Sequence, residues 1–161
     1  MKLKTLFAVA AVALLSAGCL GDSTGSGVTV IIPPPEPLAA GIDTVTTASG
    51  LKYADIVVGT GTTVQSGRAV QLHYTGWLLN GTGFDTTVGF QPATVVAGDG
   101  RFIAGWNEGL VGMKVGGKRR LIIPPALAYG ANEVKNQETG AVVIPANSTL
   151  IFDIQVLAAS N

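Results

Sequence analysis

Apolar and polar residues alternate along several stretches of this chain, and in one place the apolar residues recur at helical spacing. Between Arg68 and Leu79, Val70, Leu72 and Tyr74 point one way and Gln71, His73 and Thr75 the other, the two-residue period of a half-buried strand. Ser148–Leu157 repeats the pattern with Leu150, Phe152, Ile154 and Val156 facing inward. Leu51–Val58, closed by Gly59-Thr60-Gly61, reads as a further strand, as do Ala93–Ala97 and Lys118–Pro124. Leu121 and Ile123 share the inner face of the last, and Pro124-Pro125 stops it. Asn80-Gly81 is a hairpin turn signal that puts Phe84-Asp85 on the returning strand. Ala126–Tyr129 reads as a helical turn ended by Gly130, and the polar stretch Ala131–Gly140 as a flexible surface loop.

Within Gly98–Gly117, Ile103, Trp106, Leu110 and Met113 recur at spacings of three, four and three, laying one apolar stripe along a helix. Gly105, Gly109 and Gly112 form a second column beside it. An interior glycine weakens a helix by about 1 kcal/mol relative to alanine, so this helix needs a closely packed partner. The missing side chains allow that approach. A short helix of this kind carrying a tryptophan reads as the floor of a pocket; the alternative is an ordinary core helix. Antiparallel strands with one short helix and no internal repeat make an α+β fold.

The N-terminus belongs to a different pattern. Met1–Ala17 carries two lysines and then an apolar run from Leu6 to Leu15. A membrane-spanning helix needs about 20 residues, so this run fits a secretory signal instead. It ends in Ser16-Ala17-Gly18-Cys19, which resembles the bacterial lipobox, with Ser16 where a Leu is usual and Leu15 one place further back. The expected organisation is a lipoprotein signal peptide over 1–18, a lipidated Cys19 with a Gly/Ser/Pro-rich tether over 19–43, and one domain over 44–161. Pro33-Pro34-Pro35-Glu36-Pro37 reads as a stiff polyproline II spacer. Val28–Ile32 is a short β-prone run within it, read as a plain patch of the tether, the alternative being that it docks on the domain edge or on a partner. The expected location is the bacterial cell envelope, on the periplasmic face of a membrane. Leu20 lacks the Asp that signals inner-membrane retention in enteric bacteria, which favours the outer membrane.

Composition narrows the chemistry. The 161 residues include 22 glycines and only 12% charged residues, favouring turns and strands over long solvated helices. Ten basic side chains balance ten acidic ones, and loss of Lys2 and Lys4 with the leader leaves eight against ten. No basic field remains to hold nucleic acid. One cysteine excludes an internal disulfide and a Cys-based zinc site, and one histidine argues against a His-rich metal site. His73 faces away from the core, no Gly-x-Ser-x-Gly elbow is present, and no phosphate loop surrounds Phe102. What remains is aromatic and aliphatic residues, a few hydroxyls and one carboxylate, Asp85, among aromatics. That set suits non-covalent action on an apolar group.

Six collinear motifs make the reading specific. Leu72-His73-Tyr74-Thr75-Gly76, Gly83-Phe84-Asp85-Thr86, Ile103-Ala104-Gly105-Trp106-Asn107-Glu108-Gly109-Leu110, Ala128-Tyr129-Gly130, Ile144-Pro145 and Thr149-Leu150-Ile151-Phe152-Asp153 resemble the FK506-binding-protein family of peptidyl-prolyl isomerases. The likeness runs from about Thr44 to Leu157. It implies a twisted antiparallel sheet wrapped around the short helix, with the pocket between them. It also implies Trp106 as the floor under a proline ring, with Tyr74, Phe84, Phe102, Ile103, Ile144 and Phe152 as walls. The Ile103 backbone N–H and the Tyr129 hydroxyl would orient substrate carbonyls. Asp85 would accept a hydrogen bond from Tyr74 beside the twisting amide, so that Asp85, Tyr74 and Tyr129 form the catalytic set. No metal or other cofactor is expected.

Three departures from the family pattern bear on specificity. A wall aromatic of the family falls on Ala93, which predicts a wider pocket there. Thr87–Pro92 is shorter by about one residue and lacks the Arg that often pairs with the Asp. The loop Ala131–Val143 is longer than in compact members, yet neither it nor Thr86–Val95 has room for an inserted chaperone domain. The expected partners are Pro-containing segments of exported proteins, macrolides of the FK506 or rapamycin type, and a membrane reached through the lipid. The alternative is an inactive module of the same fold that binds Pro-containing segments or acts as a chaperone.

Overall fold

The computed structural model describes residues 30–160; the leader, Cys19, Val28 and Thr29 lie outside them. β1 (Val45–Thr46) and β2 (Lys52–Val57) come first, followed by β3 (Ala69–Leu78) and β4 (Gly83–Thr86). β5 (Ala93–Val96) leads into α1 (Ala104–Leu110), and β6 (Lys118–Ile123) leaves it. A 3-10 turn at Pro125–Leu127 and two short strands, β7 (Val134–Lys135) and β8 (Val142–Ile144), precede β9 (Leu150–Ala159).

Seven strands make one antiparallel sheet in the order β1-β2-β6-β9-β3-β4, with β5 also paired to β3. The last strand of the chain is therefore central, Ile154 opposite Tyr74 on one side and Phe152 opposite Leu121 on the other. The alternation expected of β3 and β9 holds. Leu72, Tyr74, Leu121, Ile123, Leu150, Phe152, Ile154 and Val156 are all buried on the inner face. Asn80-Gly81 forms the expected turn, Gly81 taking a φ of 86° that only glycine adopts without strain.

The helix is shorter than its apolar stripe. Ile103, Trp106, Leu110 and Met113 are all buried, but Ile103 is the extended N-cap residue and Met113 lies in the turn beyond the end. Gly112 belongs to that exit, with a φ of 85°. Gly105 and Gly109 do what the glycine column implied. A Cβ on Gly105 would sit 2.5 Å from Ile123 Cγ2, and one on Gly109 would sit 2.6 Å from Leu121 Cδ1. Close contact with β6 thus holds a helix whose own propensity is poor. Arg119 secures the far end: it donates to the Gly109 carbonyl at 3.0 Å and grips Asp55 with two hydrogen bonds of 2.6 and 3.0 Å.

Two expectations need correction. Ala131–Gly140 is not wholly a loop, because Val134 and Lys135 pair with Ile144 and Val142 in a two-stranded hairpin. Asn136 turns that hairpin, its side-chain oxygen accepting from the Glu138 and Thr139 amides at 2.9 Å each. Two paired residues are too few to show a period, which is why composition pointed to a loop. The second correction concerns the apolar run before the prolines. Ile32 packs so closely on the sheet that a Cβ on Gly83 would lie 2.4 Å from its own. The prolines that follow also touch the domain: Trp77 Nε1 donates to the Pro33 carbonyl at 2.6 Å, and Arg120 Nη1 donates to the Glu36 carbonyl at 2.5 Å. No helix of the described residues is long and apolar enough to cross a membrane.

Candidate active site

The site forms where α1 meets the inner face of β3, β4 and β9. Trp106 projects from the buried side of α1, and three rings stand around it. Tyr74 and Phe152 meet it edge to face, at centroid distances of 5.0 and 5.2 Å, and Phe102 lies tilted at 5.9 Å. Phe84 meets Phe152 edge to face at 5.5 Å. These are the offset and T-shaped geometries that aromatic quadrupoles favour, each adding about 0.5–1.5 kcal/mol beyond burial.

Gly76 makes the aromatic wall possible. A Cβ there would lie 2.7 Å from Phe152 and 2.8 Å from Phe84, so the rings meet over bare backbone. A register shift between Gly76 and Trp77 lets β4 bring both Phe84 and Asp85 to this side of the sheet. Gly76 is in register with Asp85 and Thr75 with Thr86. Thr87 then closes the strand end: its hydroxyl accepts from the Tyr74 amide at 2.9 Å, and its own amide donates to the Tyr74 carbonyl at 2.9 Å. His73, on the opposite face as expected, places Nδ1 3.2 Å from the same hydroxyl.

The polar members sit at the edge of this apolar set. The Tyr74 hydroxyl donates to Asp85 Oδ2 at 2.6 Å. Burial raises the Asp85 pKa above the ordinary carboxylate value, while the Tyr74 hydroxyl and the Thr86 backbone N–H pull it back down. No cation makes an ion pair with Asp85 among the described residues, in keeping with the missing Arg. Burial first and the Asp85 charge second also raise both tyrosines, Tyr129 to about 12 and Tyr74 further. Both hydroxyls therefore remain donors across the neutral range.

Ile103 contributes backbone as well as side chain. As N-cap residue its carbonyl accepts from the Trp106 and Asn107 amides. Its own N–H precedes the helix ladder and makes no hydrogen bond among the described residues, as expected for the first donors of a helix. Ile144, on β8, is buried in the same cluster as Trp106 and Phe152, and Tyr129, in the turn before the hairpin, is partly buried against that cluster. All nine residues proposed for the domain's site thus belong to one region; Cys19 lies outside the described residues. Ala93 opens β5 opposite Leu72, half-buried against this cluster. Sequence reasoning missed Thr86 and Thr87, which hold Tyr74 and Asp85 in place, because Ser/Thr hydroxyls carry no periodic signal. The described residues hold no group of three His, Cys, Asp or Glu side chains able to bind a metal.

Comparison with known proteins gives this arrangement a lineage. Residues 60–157 match the model of the FKBP-type peptidyl-prolyl cis-trans isomerases. An FK506-binding protein of Neisseria meningitidis serogroup B is 44% identical over 109 residues, 67% of this chain and 94% of that protein. FK506-binding protein 4 of Chaetomium thermophilum is 50% identical over 108 residues, 67% of this chain but only 21% of that longer protein. The crystal structure of a peptidyl-prolyl cis-trans isomerase from Pseudomonas syringae superposes with a TM-score of 0.62 at 30% identity, covering 73% of this chain and 81% of that one. With the matched span running from before β3 through most of β9, this chain belongs to the FKBP-type peptidyl-prolyl cis-trans isomerases.

Proposed function

We propose that the chain accelerates rotation about Xaa-Pro bonds of exported proteins by holding the twisted amide in the Trp106 pocket, from a membrane to which Cys19 anchors it. The observation that carries the reading is the Tyr74–Asp85 pair beside the Trp106 ring cluster. Planarity of the peptide bond is a resonance effect with a barrier of roughly 18–20 kcal/mol. The twisted form is less delocalised and less polar, so an apolar site that fits it better than either planar isomer lowers the barrier. Trp106 is the floor for the proline ring, and Phe84, Phe102, Ile103, Ile144 and Phe152 exclude water around it. The Ile103 N–H and the Tyr129 hydroxyl, both donors, orient substrate carbonyls. Asp85, fixed by Tyr74, puts negative charge beside the rotating amide. Macrolides of the FK506 or rapamycin type suit the same apolar pocket.

The envelope location rests on the leader and Cys19. A stable anchor takes two lipid signals or more, as on a diacylated or triacylated cysteine. The fourteen residues from Cys19 to Ile32 reach at most ~3.6 Å each when extended, which holds the domain within a few tens of ångströms of its membrane. Cis/trans exchange of a Xaa-Pro peptide, followed by NMR, tests the enzyme against the alternative of an inactive binding module. Acceleration that falls in Asp85→Ala supports the enzyme; binding without acceleration makes the chain a module. Mass spectrometry of the mature N-terminus should find lipid on Cys19, and an unmodified N-terminus starting elsewhere removes the anchor.

A further inference from the structure

The outer face of the sheet, opposite the isomerase pocket, carries a second arrangement of aromatic, cation and proline. Trp77 is the residue after Gly76, yet it faces the other way and is 5% exposed. In this face Trp77 on β3 stands opposite Ile151 of β9, and Arg120 on β6 stands opposite Asp153 of β9. Asp153 fixes Arg120 with two hydrogen bonds of 2.5 and 2.8 Å, and Lys118 approaches it at 3.4 Å. Arg120 and Asp153 are 7% and 9% exposed, so the guanidinium is held in one orientation and leaves Nη1 to donate outward.

Residues 32–38 lie across this face with a period of three. Ile32, Pro35 and Leu38 are half-buried, while Pro33, Pro34, Glu36 and Pro37 are exposed. The two carbonyls that are read, Pro33 to Trp77 and Glu36 to Arg120, are also three residues apart. A polyproline II helix has three residues per turn and rises about 3.1 Å per residue, with its backbone carbonyls unpaired. Positions i and i+3 therefore share one side. Four prolines hold φ near the required value, and each residue before a proline is pushed toward the extended region. Trp77 and Arg120 are two strands and a two-residue stagger apart, about 12 Å between backbones at ordinary strand dimensions, which long side chains leaning together bring to the ~9 Å of one such turn. A fixed indole N–H and a fixed guanidinium thus match the repeat of this backbone, and aromatic-lined grooves are a recurring way to read such segments.

We propose that this outer face is a second proline-recognition site, separate from the isomerase pocket, whose ligand is the chain's own segment Ile32–Leu38 docked as a reversible latch. It reads a polyproline II backbone with apolar side chains at every third position. Its carboxylate, Asp153, is committed to Arg120 and Lys118, so the site binds the segment without turning a peptide bond.

The two tryptophans report the two sites separately. In the full chain, Ile32→Ser, Pro33→Gly, Pro34→Ser, Pro35→Gly and Glu36→Ser together should speed solvent exchange of the Trp77 indole N–H by about tenfold or more. Isomerase activity and the Trp106 resonance should be retained. A peptide of residues 30–38 added to that variant should then shift the Trp77 indole saturably and restore its protection. The same peptide with Ile32→Ser and Leu38→Ser should not. Unchanged Trp77 exchange in the variant, or a peptide that shifts only Trp106, overturns the proposal. Should the multiple variant not fold, Trp77→Phe decides: it keeps a ring and loses the donor. Backbone order at Ile32 and Glu36, read by 15N relaxation, must then fall with activity retained; order unchanged from wild type overturns the latch.

Discussion

The Tyr74 hydroxyl donates to Asp85 Oδ2 across 2.6 Å between neighbouring strands, with no basic side chain paired to that carboxylate among the described residues. Tyr74 is buried and Asp85 half-buried, so each is the other's main compensation for lost water. Tyr74→Phe should therefore destabilise the fold by about 1–3 kcal/mol, the usual penalty for leaving a buried polar group unpaired. Chemical denaturation checks this. The same variant should slow exchange of a Xaa-Pro peptide about tenfold, because Asp85 is then free to rotate away.

Acidification should act through Asp85. Its pKa in the fold is raised by burial above the unfolded value of 3.8, so the folded state takes up the proton first. Activity that needs the charge is full above the folded pKa and falls as pH drops through it, at a pH above 3.8. Stability moves the other way: this carboxylate's burden is present above its folded pKa and is relieved as pH falls toward the unfolded value. Asp85→Asn should flatten the acid limb of the rate profile at a low plateau. It should also gain stability over wild type as pH rises through that window, measured by denaturation at several pH values.

Gly76→Ala should close the site from beneath. The added methyl would lie 2.7 Å from Phe152 and 2.8 Å from Phe84, and two rings locked edge to face have little room to give. Overpacking of this kind costs about 1–3 kcal/mol. Peptide affinity should fall more than folding does, since both displaced rings are walls. Titration of a proline peptide by NMR, beside thermal unfolding, separates the two effects.

Gly105→Ala should lower stability although it raises helix propensity. Alanine favours the helix by about 1 kcal/mol, but its Cβ would meet Ile123 Cγ2 at 2.5 Å and Cδ1 at 2.9 Å. Gly105→Ala combined with Ile123→Ala should recover part of the loss, and a double-mutant cycle by denaturation measures that coupling. Independent effects of the two changes would mean that the helix has shifted to make room.

Much of the site was legible because its parts leave local marks. The stripe of Ile103, Trp106 and Leu110 and the glycines beside it announced a helix pressed against something, and β6 is that partner. The alternation in β3 separated Tyr74 from His73 correctly. The aromatic walls were legible only through motif resemblance, since Phe84, Phe102 and Phe152 share no period. Thr87, Arg119 and Trp77 went unread. Each acts through hydrogen bonds to another stretch of chain, Trp77 to a carbonyl 44 residues upstream, and such contacts have no local signature.

By itself the sequence determined which residues face inward on β3, β6 and β9 and where the glycine-weakened helix falls. Those properties follow from backbone periodicity and from residue chemistry, which neighbours along the chain express directly. Only the tertiary structure decided that β9 would be central, that Thr86 and Thr87 would hold the Tyr74–Asp85 pair, and that the residues around Asn136 would pair as a hairpin. It alone decided that the prolines lie against Trp77 and Arg120. A surface residue's sequence does not record which other part of the chain will cover it, and that depends on how the strands are ordered.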